Sequence, residues 1–337
     1  MTRIAPLTIT TADVARDPAA RAWSSLGGAA PFRVVLLREA SRSKPALYRL
    51  EFADPGHPAV FAKRFHPAGL AVERRVYETI LPRLPVTVAP YRGGCEDDGG
   101  SAWLFVEDVG EQCLSPVDPE HRVLAARWLA LLHCSAAEVV AAEPLPDAGP
   151  GRYLAHLREG RDEIRQHFGN RALTPTDRDV LRAVLAQGEA LESRWPQIER
   201  ACEGYPVTLV HADFQPKNIR IRSTASGPVI CPIDWETAGR GVPAADLART
   251  SSPGMALQFD PRTYETALRD RWPHLDAVSI HRLSILGHIF QPLAGILWAC
   301  ADLRFESAPC LVRPVSSMKR YLARITLALD TGAEWLA

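Results

Sequence analysis

Strand signals and helix signals are segregated along this chain, which points to separate layers of β and α structure rather than an alternating α/β sheet. Residues 32–37, 46–52 and 60–65 are rich in Val, Leu, Phe and Tyr. The turn compositions Ser-Arg-Ser-Lys-Pro and Asp-Pro-Gly-His-Pro separate them, so three strands are expected in succession. Leu70, Val72, Val76, Tyr77, Ile80 and Leu81 then approximate a helical stripe over 70–81, closed by Pro82 and Pro85. Two more strands are expected at 86–91 and 102–106, around an exposed loop at 93–100. The first part therefore reads as a five-stranded sheet with one inserted helix.

Beyond Gly110 the pattern turns helical. Asp118-Pro119 is a helix start, and Val123, Leu124, Trp128, Leu131 and Leu132 share one face ahead of His133. Further helical patterns occupy 152–167, 176–194, 261–271, 279–302 and 313–329, and one β excursion interrupts them at 207–234. The expected class is α+β, with a small N-terminal β-sheet lobe over 1–110 and a larger α-rich lobe over 111–337. Residues 283–301 carry no formal charge, but Ser284, His288, Gln291 and Pro292 within them favour a buried, kinked helix over a membrane span.

Charge narrows the partners. Lys+Arg 39 balance Asp+Glu 39, which removes the electrostatic case for nucleic acid or an anionic membrane surface. Seven cysteines are scattered without a C-x-x-C pair, and Asp13 and Asp17 interrupt any signal-peptide pattern, so reduced thiols in a cytoplasmic protein are expected. Lysine occurs only at positions 44, 63, 217 and 319, which makes each position informative.

The β excursion carries the chemistry. It runs Val207-Thr-Leu-Val-His-Ala-Asp-Phe-Gln-Pro-Lys-Asn218, through Ser223-Thr-Ala-Ser-Gly-Pro, to Val229-Ile-Cys-Pro-Ile-Asp-Trp-Glu236. A turn centred near Ser226 would set Asn218 opposite Asp234 on strands ~4.8 Å apart, where both side chains reach one cation. Asp213 lies in the loop just ahead. A carboxylate base beside an amide and a second carboxylate supplies what phosphoryl transfer needs: one group to orient and deprotonate a hydroxyl, and two to hold Mg2+.

The pattern His211-x-Asp213-x-x-x-x-Asn218, followed by Ile233-Asp234-Trp235-Glu236, resembles the catalytic loop and metal-binding segment of the aminoglycoside phosphotransferase/choline kinase family, relatives of the protein kinases. Gly241-Val-Pro-Ala-Ala-Asp246-Leu-Ala and Leu131-Leu-His133 are similar to further family segments. The resemblance implies a bilobal protein-kinase-like fold with Mg2+, ATP or GTP as phosphate donor, and a small hydroxylated acceptor. It assigns Asp213 as catalytic base and Asn218 and Asp234 as metal ligands. His211 and Asp246 take structural roles in the loop, and Lys217 is open to solvent or to the transferred phosphate.

A kinase-like enzyme also needs a strand lysine on the α/β-phosphates and a helical glutamate to hold it. Lys63 and Glu73 fit, with Glu78 the less suited alternative. Residues 102–110 look like the last strand and the hinge, where backbone groups of Glu107 to Val109 would pair with the base. The nucleotide loop departs from the family: residues 37–48 contain no glycine, leaving Ser41 and Ser43 as phosphate donors, or the loop as a substrate gate.

For the acceptor, Glu236 and Gln291 are the candidates. Apolar Phe290, Leu293, Ile296, Leu297 and Trp298 suggest a neutral, partly apolar acceptor, which carboxylates such as Asp302 and Glu306 would reverse. An antibiotic-modifying kinase is the leading expectation. The alternatives are a metabolic sugar or amino-alcohol kinase of the same fold and a nucleotide-binding regulatory pseudokinase. A metal hydrolase built on His211, Asp213 and Asp234 lacks the further His/Asp cluster such a site requires.

Overall fold

Pairing of the early apolar runs produces an antiparallel sheet in the order β1-β2-β3-β4-β6-β5. The computed structural model describes residues 7–9, 14–41, 44–248 and 259–336. The sheet strands are β1 (Leu7–Ile9), β2 (Arg33–Arg38), β3 (Ala46–Glu51), β4 (Val60–Phe65), β5 (Tyr91–Glu96) and β6 (Ala102–Glu107). Strand alternation sorts β4: Val60 and Ala62 are buried in the core, while Lys63 points to the other face. Helix α1 (Pro18–Ser25), absent from the sequence reading, packs Trp23 against Phe105 with ring centroids 5.3 Å apart. Val34, Leu50, Ala62 and Trp103 complete this core.

Two expectations shift. The strand expected at 86–91 lies at Tyr91–Glu96, running into the stretch read as a loop at 93–100. The turn after it is tight because the Asp97 carboxylate accepts the N–H groups of Gly99 and Ser101 at 3.0 and 2.9 Å, and Gly93 supplies φ +124° at a register shift. The helix expected over 70–81 is α2 (Pro67–Arg75), capped by His66, then a π turn at Val76–Ile80 and a 3-10 turn at Leu81–Arg83.

The chain divides into two units, Met1–Leu114 with Pro216–Thr237, and Ser115–Gln215 with Ala238–Ala337. The hairpin β8 (Ile219–Thr224) and β9 (Gly227–Pro232) thus groups with the first unit, not with the later residues as a cut at 110 implies. Hydrogen bonds explain this: Leu114 N–H donates to the Ile219 carbonyl, Ile221 N–H to that of Gln112, and Thr87 Oγ1 to that of Ile230, at 2.9, 2.8 and 2.6 Å.

The second unit is helical around a small two-stranded ladder. Its helices are α3 (Pro119–Val140), α4 (Pro150–His167), α5 (Pro175–Ser193), α6 (Trp195–Cys202), α7 (Pro261–Leu268), α8 (Ala277–Cys300) and α9 (Ala308–Thr331). Asp118 caps α3, and a Thr174/Asp177 capping box starts α5, devices worth ~1 kcal/mol each. Strand β7 (Thr208–Val210) pairs antiparallel with β10 (Gly239–Gly241). Among the described residues α3 and α8 are long and apolar enough to cross a membrane, but 83% of the apolar window of α8 is buried inside the fold. Its side chains Phe290, Leu293 and Ile296 belong to the core, which removes them as a hint about the acceptor; Trp298 is exposed.

Candidate functional site

In the first unit, Lys63 joins two carboxylates. Its Nζ donates to both carboxylate oxygens of Glu73 at 2.8 Å and to Oδ1 of Asp234 at 2.7 Å. Strand β4 aims Lys63 away from the sheet core, and Leu70 and Glu73, three apart on α2, are buried together. The side chains of Lys63 and Glu73 are 12% and 1% exposed, whereas Asp234 is 33% exposed. Burial alone would lower the lysine, but Glu73 and Asp234 outweigh it and hold Lys63 above the ordinary lysine range. Burial lifts the Glu73 carboxyl, and Lys63 pulls it part of the way back.

Asp234 follows β9 in the left-handed region, with φ 70°. The hairpin pairs Ile219 with Pro232 and Thr224 with Gly227, so its turn is centred one half-residue earlier than Ser226. Asn218 consequently faces Ile233, whose N–H donates to its carbonyl at 2.9 Å, and not Asp234. Both residues still stand at the feet of one hairpin, Asn218 with a buried side chain. Glu236 sits in the 3-10 turn Trp235–Thr237, where partial burial, with Asp234 and Glu73 nearby, pushes its carboxyl up to about 7. Lys217 is exposed.

The other first-unit expectations separate. Ser41 is exposed and closes a tight turn, its N–H donating to the Lys44 carbonyl at 2.9 Å; Ser43 lies outside the described residues. The N–H groups of Glu107 and Asp108 donate to the carbonyls of Pro90 and Ala59, both at 2.8 Å. The Glu107 side chain is engaged by two arginines, leaving its carbonyl and the Val109 backbone as the groups suited to a base. Glu78 pairs with Arg74 at 2.8 Å and not with Lys63.

In the second unit, Asp213 lies in a loop built around a buried carboxylate. Asp246 accepts the N–H groups of His211 and Ala212, both at 2.8 Å, and His133 Nε2 lies 3.3 Å away. A carboxylate only accepts, so His133 Nε2 carries the proton and Nδ1 accepts the Tyr264 hydroxyl at 2.8 Å. Thr208 Oγ1 donates to the His133 carbonyl at 2.7 Å, tying β7 to α3. Ala212 takes φ 64°, and the bonds to Asp246 from its own N–H and from that of His211 hold that strain. Asp213 itself is buried, with Gln215 Nε2 donating to its Oδ1 at 2.6 Å.

Close packing seats the Asp246 segment. A Cβ on Gly287 would lie 2.0 Å from the Ala244 carbonyl oxygen, so α8 approaches this segment only because position 287 is glycine. Gln291, an acceptor candidate from the sequence, donates from the same helix to the Ala245 carbonyl at 2.8 Å. Tyr264 escaped the sequence reading: it is 131 positions from His133, and no local spacing connects them.

Asp234 and Asn218 present oxygen donors, and Asp234 keeps a partly exposed carboxylate while Lys63 engages Oδ1. Among the described residues no group of three or more His, Cys, Asp or Glu could hold a metal alone. That set suits Mg2+, which binds through one or two protein oxygens and completes its shell with phosphate and water.

Residues 26–280 match the model of the phosphotransferase enzyme family (APH). No curated protein matches by sequence. Similar solved structures include choline kinase from Cryptosporidium parvum Iowa II, at TM-score 0.58 and 12% identity over 90% of this chain and 93% of that one. The GDP and kanamycin complex of APH(2")-IIia gives TM-score 0.59 and 13% identity over 89% and 96%. Plasmodium vivax ethanolamine kinase gives TM-score 0.55 and 15% identity over 86% and 80%.

Proposed function

Because the chain belongs to the phosphotransferase enzyme family, we propose that it transfers the γ-phosphoryl group of ATP or GTP to a hydroxyl of a small molecule, with an antibiotic as the acceptor class. The observation that carries this reading is Lys63 bonded at once to Glu73 and Asp234, the arrangement a phosphate-gripping lysine needs in a kinase-like site.

Each residue then has a task. Asp213 orients the acceptor hydroxyl and takes its proton as the acceptor oxygen bonds to the γ-phosphorus. The bond from that phosphorus to the β,γ-bridging oxygen breaks, and the electron pair leaves with the nucleoside diphosphate. Lys63 grips the α- and β-phosphates, and Glu73 keeps it aimed. Asn218 and Asp234 would hold Mg2+, which supplies charge neutralisation on the phosphates when bound. The Glu107 carbonyl and the Val109 N–H read the base. Ser41 is available to the phosphates, and Glu236 to the acceptor.

The choline and ethanolamine kinases among the similar structures support a second reading, an amino-alcohol acceptor in cytoplasmic metabolism. Nucleotide consumption with Mg2+ over hydroxylated antibiotics, nucleosides, sugars and amino alcohols, with ATP and GTP separately, decides between them. Acceptor-dependent turnover should fall by about 10²- to 10⁴-fold in Asp213→Ala. Nucleotide binding that depends on Asp234 but supports no turnover with any acceptor would favour a regulatory module instead.

A further inference from the structure

Glu107 stands at the end of β6 with a side chain only 5% exposed, yet it is a carboxylate. Two arginines from different strands neutralise it. Arg92 of β5 bonds Oε2, and Arg222 of β8 lies 3.1 Å from Oε1. Burying a carboxylate this deeply is unfavourable unless it is paired, so the pairing fixes where both strands sit.

Arg222 reaches Glu107 from the hairpin whose feet carry Asn218 and Asp234. The hairpin's backbone bonds to Gln112 and Leu114 involve only the β8 edge. The Cys113 and Arg220 bridge adds to that same edge, with Arg220 Nη1 donating to Cys113 Sγ at 2.9 Å. Backbone bonding of this kind allows the hairpin to pivot about β8. The Thr87 bond holds the second strand at Ile230 of β9, and the ion pair leaves β8 through the Arg222 side chain, not its backbone edge; both oppose the pivot.

We infer that Glu107 is a positioning residue that, through Arg222, registers the Asn218/Asp234 hairpin against the strand offered to the nucleotide base. One side chain thereby sets the separation between the base-reading end and the metal-holding end of the nucleotide site. The inference rests on the reading of Asn218 and Asp234 as Mg2+ ligands proposed above. Its geometry is independent of that reading and lies wholly within the first unit.

The test is calorimetry of adenosine and of ADP, the latter with and without Mg2+, on the full chain. Arg222→Met leaves Glu107 paired with Arg92, so the fold should persist. It should lose about tenfold of the Mg2+-dependent gain in ADP affinity, as groups that orient metal ligands typically do. Adenosine affinity should stay within about twofold. Glu107→Gln, which keeps the shape but removes the charge, should shift the same quantity in the same direction. A purely structural clamp would lower the melting temperature of both variants and leave the Mg2+-dependent gain intact, which overturns the inference. Asp234→Asn separates the two layers of argument. If it loses the gain while Arg222→Met keeps it, only the role of Glu107 falls; if Asp234→Asn keeps the gain, the metal reading falls and this inference with it.

Discussion

The cluster around Lys63 in the first unit and the loop around Asp246 in the second each hold an aspartate to which the proposed function gives a role, but they hold it by different physics. Asp234 is held by charge: a lysine shared with Glu73, 171 positions away in sequence. Asp213 sits in a loop held by a buried carboxylate that accepts backbone N–H groups, with a histidine and a tyrosine behind it. Among the described residues the only non-glycine residues with positive φ are Asp234 and Ala212, one in each place. Each unit thus stores backbone strain at or beside the aspartate proposed for the chemistry, and each compensates it with its own kind of bond. A charge-held site responds to pH and to loss of an ion; a hydrogen-bonded loop responds to loss of a single acceptor.

The most forceful way to break this contrast is Lys63→Met. It strands the Glu73 carboxylate with almost no solvent, which should cost about 3 to 5 kcal/mol in urea unfolding. The sign with pH follows from the direction of Glu73. Its folded carboxyl already lies above 4.5 and rises further without the lysine, so the folded state binds the extra proton. Stability of the variant should therefore fall as pH rises from the ordinary glutamate range, with a larger deficit at pH 8 than at pH 5. A deficit that does not change with pH would show that charge is not what holds Asp234.

Asp246→Asn probes the other region. An amide offers one acceptor oxygen where two backbone N–H groups and His133 now converge. Unfolding should show a loss of about 1 to 3 kcal/mol. If Asp213 is the base proposed above, the turnover number should fall by about tenfold at unchanged nucleotide KM, because the loop displaced is the one that carries it.

The smallest effect sharpens the comparison. Glu236, beside Asp234, titrates near 7 in the folded chain against an ordinary value of 4.5. Between those values the folded state holds more proton than the unfolded one, so this group's contribution declines as pH rises through the window. Glu236→Gln should flatten that decline in a melting-temperature profile; an unaltered profile would place the titration elsewhere.

Much of this was legible beforehand because the informative signals are local. Turn-separated apolar runs located β2, β3 and β4, and the Asp118-Pro119 start located α3. The spacing of Lys63 from Glu73 anticipated their contact, since a strand and the helix that follows it bring such residues together. What the sequence hid also shares a cause. The part of the Tyr91–Glu96 strand from Gly93 on reads as a loop because its glycines carry no β propensity, and only pairing with β6 makes it a strand. The bond from Gln291 is hidden likewise, because nothing in the sequence shows that α8 lies against Ala245.

By itself, then, the sequence determined which groups are available and in what local spacing: the strand lysine, the helical glutamate, the loop Asp213, and Asn218 and Asp234 on either side of one turn. Tertiary structure decided what holds them. It set the hairpin register that faces Asn218 with Ile233, grouped that hairpin with the first unit, and placed Asp234 against Lys63. The reason is range. Propensity and turn chemistry act over a few residues, whereas register and ion pairs between distant segments depend on which surfaces the whole chain buries together.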